Sequence, residues 1–353
     1  MLNELIVRNF TAFESAKFKF CTGLNVIVGA NGSGKSHILK LAYSVAKTSY
    51  NQKKQSSQSK QVWQKEIAND LLRIFRPEGL GRLARRQQGR SKAQIEVKFE
   101  KLKEADFSFS FSTKNSAEVV FESDVPTKFV PAIPIFIPTK ELLSLFPGLR
   151  ALYEGRELSI DETYPDLCAR LEHPLLRGPR LENVKSIIEP LEEMAGGEIK
   201  SENGKFYLYQ NEGGRLEIDL VAEGLRKLST LAFLLKNGSL TNTTALFWDE
   251  PEANLNPLII KKLAKMLMLL SAKKFQIIIA THSLFLMKEL HILNKENKDS
   301  KVRYFGLSEN ENNATIVNTS DDLEDLPFIA ALDAELEQTD RFSEALNNNN
   351  ANN

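Results

Sequence analysis

A glycine-rich segment, Gly29-Ala30-Asn31-Gly32-Ser33-Gly34-Lys35-Ser36, carries the residues whose types and spacing most clearly predict chemistry. It fits the pattern GxxxxGK[ST], in which a glycine loop holds phosphate groups. The apolar run at 24–28 predicts a buried strand before the loop, and the apolar spacing over 37–46 predicts a helix after it. Such a loop aims backbone N–H groups and the helix dipole at one point. Lys35 would then reach the β- and γ-phosphates, and Ser36 would bind Mg²⁺.

Two acids at the end of a short apolar run form a second candidate element. Residues 245–248 predict a buried strand, and Asp249 and Glu250 follow it directly. Because a buried strand holds its end rigidly, Asp249 would hold Mg²⁺ through water and Glu250 would orient or deprotonate the attacking water. Asp249 lies 214 positions after Lys35, which leaves room for an inserted lobe between the two elements.

A histidine follows the next predicted strand. The strand at 276–280 ends in Thr281-His282-Ser283. The carboxyl ends of parallel strands meet at one edge of a sheet, so His282 is expected near the glycine loop and the acids. There it would contact the γ-phosphate or the water. A histidine in this position is more often structural, and that alternative stays open at this point.

The periodicity of apolar residues predicts the remaining strands and helices. Phe107, Phe109 and Phe111 alternate with serine, and we expect their rings to pack in a core rather than to stack on bases. Asn203-Gly204 and Gly213-Gly214 are typical of hairpin turns. The predicted strands are 4–10, 17–20, 94–99, 106–111, 129–138, 198–201, 205–210 and 215–220, and the predicted helical segments are 140–190, 225–235 and 257–271.

Charge is balanced overall but unevenly distributed. The chain has 46 Lys and Arg and 46 Asp and Glu, so bulk charge does not indicate a nucleic-acid binder. Residues 47–92 hold 12 basic and 3 acidic residues, whereas 321–344 hold 9 acidic residues and one Arg. The basic segment predicts either a mobile surface insertion or contact with a phosphate backbone. The acidic segment, including Asp321, Asp322, Glu324 and Asp325, predicts a solvated run rather than a metal site, and the Asn-rich end predicts disorder.

Composition excludes several classes of protein. Cys21 and Cys168 are too few for a disulfide framework and have no metal-ligand spacing. The N-terminus lacks a basic region followed by an apolar core, and no run approaches 18 apolar residues. We expect a cytoplasmic protein without a membrane span.

The chain resembles ATPases of the ABC superfamily in the non-transporter branch, the RecF, SMC and OLD-like group. The run ELIVRNFTAFESAKFKF…GLNVIVGANGSGKSHIL is similar to the first strands and P-loop of that group. DEPEANLNP is similar to its Walker B element and D-loop, THS to its switch-histidine motif, and VAEGLRKLSTL to its signature motif. The resemblance implies an α/β P-loop NTPase fold of ABC-ATPase type. A mixed-sheet core lobe is expected at 1–138 and 240–320, an inserted, mainly helical lobe with a β-hairpin and the signature motif at 139–239, and a disordered tail at 321–353.

The resemblance also implies ligands and residue roles. The cofactors are ATP and Mg²⁺, and the reaction is hydrolysis to ADP and phosphate, with Glu250, His282 and Lys35 as the catalytic residues. The Mg²⁺ ligands that the resemblance implies are Ser36 and Asp249. The nucleotide-binding residues implied are Gly29, Asn31, Gly32, Ser33, Gly34, Lys35, Ser36 and Asp249, together with Glu223, Gly224 and Arg226 acting in trans on ATP held by a second chain.

Three positions depart from the family pattern. Ala222 stands where the family often has a signature serine, so a hydroxyl donor to the γ-phosphate is missing. Asn256 stands where many relatives have Asp or His in the D-loop. No Q-loop glutamine is identifiable, although Lys140 and Glu141 occupy a plausible place for it.

Alternative functions follow from the resemblance. The leading hypothesis is a homodimeric, or higher even-numbered, ATP switch that gates a separate effector nuclease, similar to phage-defence ATPases of the Septu and retron-associated kind. The second is a RecF-like DNA-repair ATPase that grips DNA through 47–92, with Arg82, Arg85, Arg86 and Arg90 as the contacts. A transporter subunit is disfavoured by the degenerate signature. The chain has neither the long heptad arms of SMC proteins nor room for the nuclease domain of OLD proteins.

Overall fold

The computed structural model describes residues 1–54, 59–86, 91–115, 117–155, 158–210, 213–297 and 300–327, and in the C-terminal segment residues 329, 332, 334–335 and 337–342. Its strands are β1 (Leu2–Phe10), β2 (Phe13–Lys19), β3 (Leu24–Gly29), β4 (Lys92–Phe99), β5 (Phe107–Ser112), β6 (Val120–Phe121), β7 (Ile135–Ile137), β8 (Glu198–Glu202), β9 (Lys205–Gln210), β10 (Gly214–Glu217), β11 (Ala245–Asp249), β12 (Gln276–Thr281), β13 (Val302–Glu309) and β14 (Thr315–Ser320). Its α-helices are α1 (Lys35–Gln52), α2 (Lys60–Phe75), α3 (Phe146–Gly155), α4 (Thr163–Leu171), α5 (Pro179–Ala195), α6 (Glu223–Lys236), α7 (Pro257–Ala272) and α8 (Leu284–Glu296).

A six-stranded mixed sheet, in the order β14-β13-β3-β12-β11-β7, forms the centre of the fold. All neighbouring pairs are parallel except β13 with β14. Its central strands are short apolar runs because both faces are buried under other elements. The register places Asp249 opposite Ala280 and Thr281 opposite Val28. The carboxyl ends of β3, β11 and β12 therefore lie side by side at one edge.

A second, five-stranded antiparallel sheet has the order β2-β1-β4-β5-β6. The alternating rings of Phe107, Phe109 and Phe111 are buried in its core, as the alternation predicts. Trp63 of α2 packs on Phe107 with ring centroids 5.0 Å apart. These rings are covered by protein and are not a stacking surface for bases.

Much of the basic segment at 47–92 belongs to the folded core, which corrects the expectation of a mobile surface insertion. Helix α1 continues to Gln52, and the fully buried side chains of Trp63, Ile67 and Leu71 form one face of α2. Their spacing of four residues is that of a helix face, so the segment is held by the same apolar packing as the sheets. Residues 55–58 and 87–90 of this segment lie outside the described residues.

The arginines of that segment are used in different ways. Arg85 Nη1 donates to the Ala12 carbonyl at 2.8 Å, and Nη2 donates to the Asn313 carbonyl at 2.9 Å. Arg82 pairs with Glu78, and Arg86 is exposed. Arg85 therefore joins two turns of the fold instead of offering a free charge, and Arg90 lies outside the described residues.

Residues 139–239 contain α3 to α6 and a three-stranded antiparallel sheet in the order β10-β9-β8. Apolar side chains of this segment belong to the same core cluster as those of β3, β11, β12 and α7. The sequence predicts breaks near Pro147-Gly148, Pro165 and Pro174 in the helical segment at 140–190, and the described part of that segment has three helices. Pro174 lies between α4 and α5 as expected, whereas Pro147 and Pro165 lie in the first turns of α3 and α4, where proline is tolerated. The division of the chain into two lobes stays a prediction.

The start of the acidic tail is folded, which corrects the expected disorder from residue 321 onward. Leu323 lies in a short 3₁₀ helix, and Leu323 and Leu326 are buried in the main core because their spacing of three residues puts both on one side. Arg303 Nε lies 2.6 Å from Asp321 Oδ1, and Lys295 Nζ lies 2.5 Å from Asp322 Oδ2. The predicted disorder of the Asn-rich end falls on 343–353, outside the described residues. No helix in the described part of the chain is long and apolar enough to cross a membrane.

Candidate nucleotide site

The glycine loop joins β3 to α1 as the pattern predicts. Gly34 precedes α1 with φ of 93°, a left-handed conformation, and a Cβ there would lie 2.7 Å from the ring of Phe13. Both facts require glycine. Thr315 Oγ1 donates to the Ser33 carbonyl at 3.0 Å, which ties the loop to β14. Asn31 and Gly32 are exposed at the tip, and Ser33 Oγ is buried and has no hydrogen-bond partner among the described residues.

Lys35 lies under this loop and is only 6% exposed. Its Nζ donates to the carbonyls of Gly29 at 2.8 Å and Ala30 at 2.9 Å. Burial lowers the pKa of Lys35, and the nearby charges of Glu250 and Asp249 raise it in part. The ammonium is therefore held by the loop backbone beside the two acids, where phosphate oxygens would be strong partners for it.

Ser36 and Asp249 meet across the sheet edge. Ser36 Oγ donates to Asp249 Oδ1 at 3.0 Å. Asp249 is buried, and burial raises the pKa of its carboxyl to about 6, although Ser36 and the lysines nearby oppose the rise. A hydroxyl and a buried carboxylate oxygen are the ligand types that Mg²⁺ prefers. The two side chains therefore have the ligand types and proximity that an Mg²⁺ site needs, and the metal site itself stays a prediction.

Glu250 and His282 form a second pair at the same edge. Glu250 has φ of 45°, and its N–H donates to the Ala280 carbonyl at 2.9 Å, so the acid leaves β11 in an uncommon conformation held by β12. His282 Nδ1 lies 3.2 Å from Glu250 Oε1. The two side chains are 49% and 28% exposed, so both are open to water and to a ligand. The structure thus brings Lys35, Ser36, Asp249, Glu250 and His282 together.

The start of α6 lies on the loop that follows β11. A Cβ on Gly224 would lie 2.9 Å from Leu255 Cδ2 and 3.1 Å from Ile259 Cγ2, so glycine permits this close packing. Asn254 Nδ2 donates to Glu223 at 3.3 Å. Ala222, at the cap position, makes no side-chain hydrogen bond to the helix. In the described part of the chain, no hydrogen bond or ion pair joins Glu223 or Gly224 to the glycine loop.

Arg226, predicted to act in trans, has a partner in its own chain. Its Nε lies 3.0 Å from Glu141 Oε2, and the two side chains are 17% and 3% exposed. The contact is an ion pair without hydrogen-bond alignment, because Nε has no hydrogen-bond partner among the described residues. Glu141 also accepts from Ser144 Oγ at 2.8 Å. Any action of Arg226 on a second chain would require this pair to open.

Asn256, which departs from the family pattern, has a local role. It is the N-cap of α7, and its Oδ1 accepts from the Ile259 N–H at 3.0 Å. Asn is among the favoured N-cap residues, and Pro257 at the first helical position is also typical of a helix start. The residue thus determines where α7 begins.

Several residues of the site have no signal in the sequence alone. Lys227 is buried, and its Nζ donates to the Ala253 carbonyl at 2.6 Å. Glu252 is buried and accepts from Thr281 Oγ1 at 2.5 Å. Both contacts join segments more than 25 positions apart, so no local pattern predicts them.

His291, Asp322 and Glu324 each bring one ligand atom within 4.8 Å of the others, a spacing that could hold a metal ion. The Nδ1 atom of His291 lies 3.4 Å from Asp322 Oδ1, and Nε2 lies 3.3 Å from Glu324 Oε1. The solvated run without a metal site, expected from the sequence, therefore stays a prediction. Lys295 is also paired with Asp322. The cluster is an ion-pair contact between α8 and the tail.

Two protein-family models match different parts of the chain. A model described as "AAA domain" matches residues 4–140, and one described as "AAA domain, putative AbiEii toxin, Type IV TA system" matches residues 150–288. A curated relative, the DNA double-strand break repair Rad50 ATPase of Archaeoglobus fulgidus, is 48% identical over 40 residues, which are 11% of this chain and 4% of that protein. The matched segment is thus a small fraction of that relative's length.

Solved structures support the fold independently. An SMC head bound to the C-winged helix domain of ScpA superposes with a TM-score of 0.54 and 16% identity, covering 92% of this chain and 98% of the other. The SMC head from Pyrococcus furiosus, bound to the C-terminal domain of ScpA, superposes with a TM-score of 0.52 and 14% identity, covering 97% and 99%. The chain has the SMC head-like ABC ATPase fold, and parts of its sequence are similar to two AAA-domain models and to a short segment of a Rad50 ATPase.

Proposed function

We propose that this chain binds ATP with Mg²⁺ and hydrolyses it to ADP and phosphate. The observation that carries the proposal is the pairing of Ser36 with Asp249 at 3.0 Å and of His282 with Glu250 at 3.2 Å along one sheet edge. The glycine loop and Lys35 lie at the same edge. Binding groups, metal ligands and a candidate base are thus within reach of one polyphosphate.

Each residue has a distinct role in this proposal. The loop N–H groups and Lys35 hold the β- and γ-phosphates, and Ser36 and Asp249 hold Mg²⁺, which neutralises phosphate charge when bound. Glu250 accepts a proton from the attacking water. His282, 3.2 Å from Glu250, orients that carboxylate and contacts the γ-phosphate. Catalysis here is mainly positioning and electrostatic stabilisation, as in other phosphoryl transfers.

We further propose that two chains share each ATP, with the start of α6 of one chain facing the loop of the other. Leu220 and Leu258 are 70% and 73% exposed and stand just before α6 and in the first turn of α7. Exposed apolar side chains beside a helix N-terminus support a protein partner there. In this arrangement the Gly224 N–H and the helix dipole, rather than a hydroxyl, meet the γ-phosphate.

Two variants test hydrolysis. Glu250→Gln removes the base and keeps the side-chain size, so ATP should stay bound, hydrolysis should fall and a closed dimer should accumulate in light scattering. Lys35→Ala should lose ATP binding, measured by calorimetry. Hydrolysis by Glu250→Gln at the parental rate would show that the assigned base is wrong.

A mixing experiment tests the shared site. Lys35→Ala supplies an intact α6, and Gly224→Asp supplies an intact loop, so a mixed dimer has one complete site. An equal mixture should recover roughly a quarter of the parental rate, because half of randomly formed dimers are mixed. A rate no higher than the mean of the two separate variants contradicts sharing.

Action on DNA is the first candidate output of the switch, and the 40-residue segment that is 48% identical to a DNA-repair Rad50 ATPase favours it. Binding to phosphate backbones should weaken steeply with salt. Arg82→Ala with Arg86→Ala should reduce that salt dependence, whereas Arg85 is left unchanged because it joins the fold. Arg341→Ala, which removes an exposed arginine elsewhere, is the control. Equal salt slopes for both variants would exclude this surface.

Gating of a separate effector is the second candidate output. It rests on the resemblance to phage-defence ATPases and on the family-model description that names a toxin–antitoxin system. The Rad50 and SMC relatives give it no support. Copurification of a nuclease with the ATP-locked Glu250→Gln variant, and its release by ADP, would support this output.

A further inference from the structure

Glu252 is a buried carboxylate in the loop that follows β11, two residues after the candidate base. Its side chain is almost fully enclosed, with a residue exposure of 6%. Oε1 accepts from Thr281 Oγ1 at 2.5 Å, and Oε2 has no hydrogen-bond partner among the described residues. A buried carboxylate is costly unless it is satisfied, so the single short bond to Thr281 is the main polar contact of this side chain.

Thr281 is the last residue of β12 and directly precedes His282. It is fully buried, and its hydroxyl makes two contacts. The hydroxyl donates to Glu252 and accepts from the Ser283 N–H at 3.0 Å. Ser283 in turn caps α8, since its Oγ accepts from the Leu286 N–H at 3.2 Å. The backbone on both sides of His282 is therefore held through the hydroxyl that Glu252 binds.

The loop at 250–256 connects the hydrogen bond between Thr281 and Glu252 to Glu250, the other member of the His282–Glu250 pair. Glu250 and Glu252 belong to the same tight turn, in which the Ala253 N–H donates to the Glu250 carbonyl at 3.0 Å. Lys227 holds the same turn through the Ala253 carbonyl. The two members of the His282–Glu250 pair thus lie on segments that are joined directly by the bond between Thr281 and Glu252.

We propose that Glu252 is a positioning residue that holds the segment of His282 against the loop of Glu250, so that the two side chains keep the geometry that hydrolysis needs. The inference rests on the proposed ATP hydrolysis. It goes beyond that proposal in assigning a role to a side chain that faces away from solvent and does not touch the reacting groups.

Thr281 offers the sharpest test because its two conservative variants separate shape from hydrogen bonding. Thr281→Val keeps the β-branched shape but loses the donor, and kcat should fall on the order of tenfold to a hundredfold with KM for ATP unchanged. Thr281→Ser keeps the donor and should retain the parental kcat. The inference is overturned if Val keeps the parental kcat or if Ser loses as much as Val.

A matched control lies elsewhere in the core. Thr48 Oγ1 donates to Asp70 Oδ2 at 2.6 Å, so Thr48→Val removes the same kind of buried threonine–carboxylate bond far along α1. This control should lower the unfolding midpoint as Thr281→Val does but should keep kcat. A loss of kcat as large in Thr48→Val would assign the effect to general destabilisation and overturn the inference.

A spectroscopic measurement separates this inference from the proposed function. The chain has four histidines, so the ring-proton signals of His282 are assignable by comparison with His282→Gln. Thr281→Val and Glu252→Met should each shift those signals while leaving those of His173 in place, and the double variant should add no further shift. Unmoved or additive signals contradict the inference, whether or not the chain hydrolyses ATP. Hydrolysis that is equal in the parent and in Glu250→Gln contradicts the proposed function alone.

Discussion

Two buried lysines mark the two halves of the candidate site, and they differ in what surrounds them. Lys35 and Lys227 are 6% and 3% exposed, and each donates to backbone carbonyls of its own chain. Burial lowers the pKa of both. Lys35 lies beneath a loop with an exposed tip, whereas Lys227 lies in the packing between α6 and the loop at 250–256. The same residue type thus lies at the candidate phosphate loop in one half, whereas in the other it attaches a helix to a loop.

The comparison shows how each half is positioned. Asp249 and His282 stand at or just beyond the ends of the parallel strands β11 and β12, so the sheet register places them. Lys35 and Ser36 begin α1, which the glycine loop joins to the end of the adjacent strand β3. Gly224 and Lys227 are placed by a few contacts between side chains and a loop. We call Lys35, Ser36, Asp249 and His282 the strand-edge half of the site, and Gly224 and Lys227 the α6 half. We expect the strand-edge half to be rigid and the position of the α6 half to change when individual contacts are removed.

The largest difference is expected in nucleotide affinity. Lys35→Ala should weaken ATP binding on the order of a hundredfold or more, since a charge-assisted contact to the phosphates is lost. Lys227→Met should leave the affinity of a single chain for ATP unchanged. Titration calorimetry with a nonhydrolysable ATP analogue measures both. Equal losses in the two variants would contradict the assignment of the lysines to different roles.

Stability should respond in the opposite order. Lys227→Met leaves the Ala253 carbonyl without its donor, so the free energy of unfolding should fall by about 1–3 kcal/mol. Lys35→Ala should lower the free energy of unfolding by less. The substitution removes the attraction between Lys35 and two nearby carboxylates, but the loop carbonyls that Lys35 binds remain near solvent. Denaturant unfolding gives both values, and a larger loss in Lys35→Ala would contradict this view.

The close approach of α6 to α7 can be tested with two glycines. Gly224→Ala places a methyl group 2.9 Å from Leu255, and the free energy of unfolding should fall by roughly 1 kcal/mol as that side chain yields. Gly155→Ala, where a Cβ meets nothing within 4 Å, should be neutral or slightly stabilising. Thermal unfolding of the two variants measures the contrast, and equal changes would show that the packing is loose.

A pH-dependent effect concerns the support of α1 away from the loop. Burial raises the pKa of Asp70 to about 7, and Lys47 at 3.9 Å offsets part of this rise. A raised carboxyl pKa contributes stability that is present below the unfolded value and is lost as pH rises through about 7. Asp70→Asn should therefore gain stability relative to the parent between pH 4 and pH 7 and show a constant difference above. A difference independent of pH, measured by urea unfolding, would contradict the assignment.

Local patterns were sufficient for the strand-edge half of the site. The glycine loop, the two acids after β11 and His282 after β12 each follow a short apolar run, and parallel pairing brings such strand ends together. The wrong expectations concern segments judged by charge. Residues 47–92 and 321–327 are rich in one sign of charge, yet in their described parts the side chains of Trp63, Ile67 and Leu323 are buried in the core. Apolar spacing was the better guide there than composition.

By itself, the sequence determined the class of fold and the order of the motifs, and it predicted the residues that would hold a polyphosphate and Mg²⁺, because each motif is a pattern within about ten neighbouring positions. Only the tertiary structure decided the partners of Arg226, Lys227 and Glu252. Glu141 lies 85 positions from Arg226. Ala253 lies 26 positions from Lys227, and Thr281 lies 29 positions from Glu252. Such contacts depend on how complete elements pack, which no local spacing encodes.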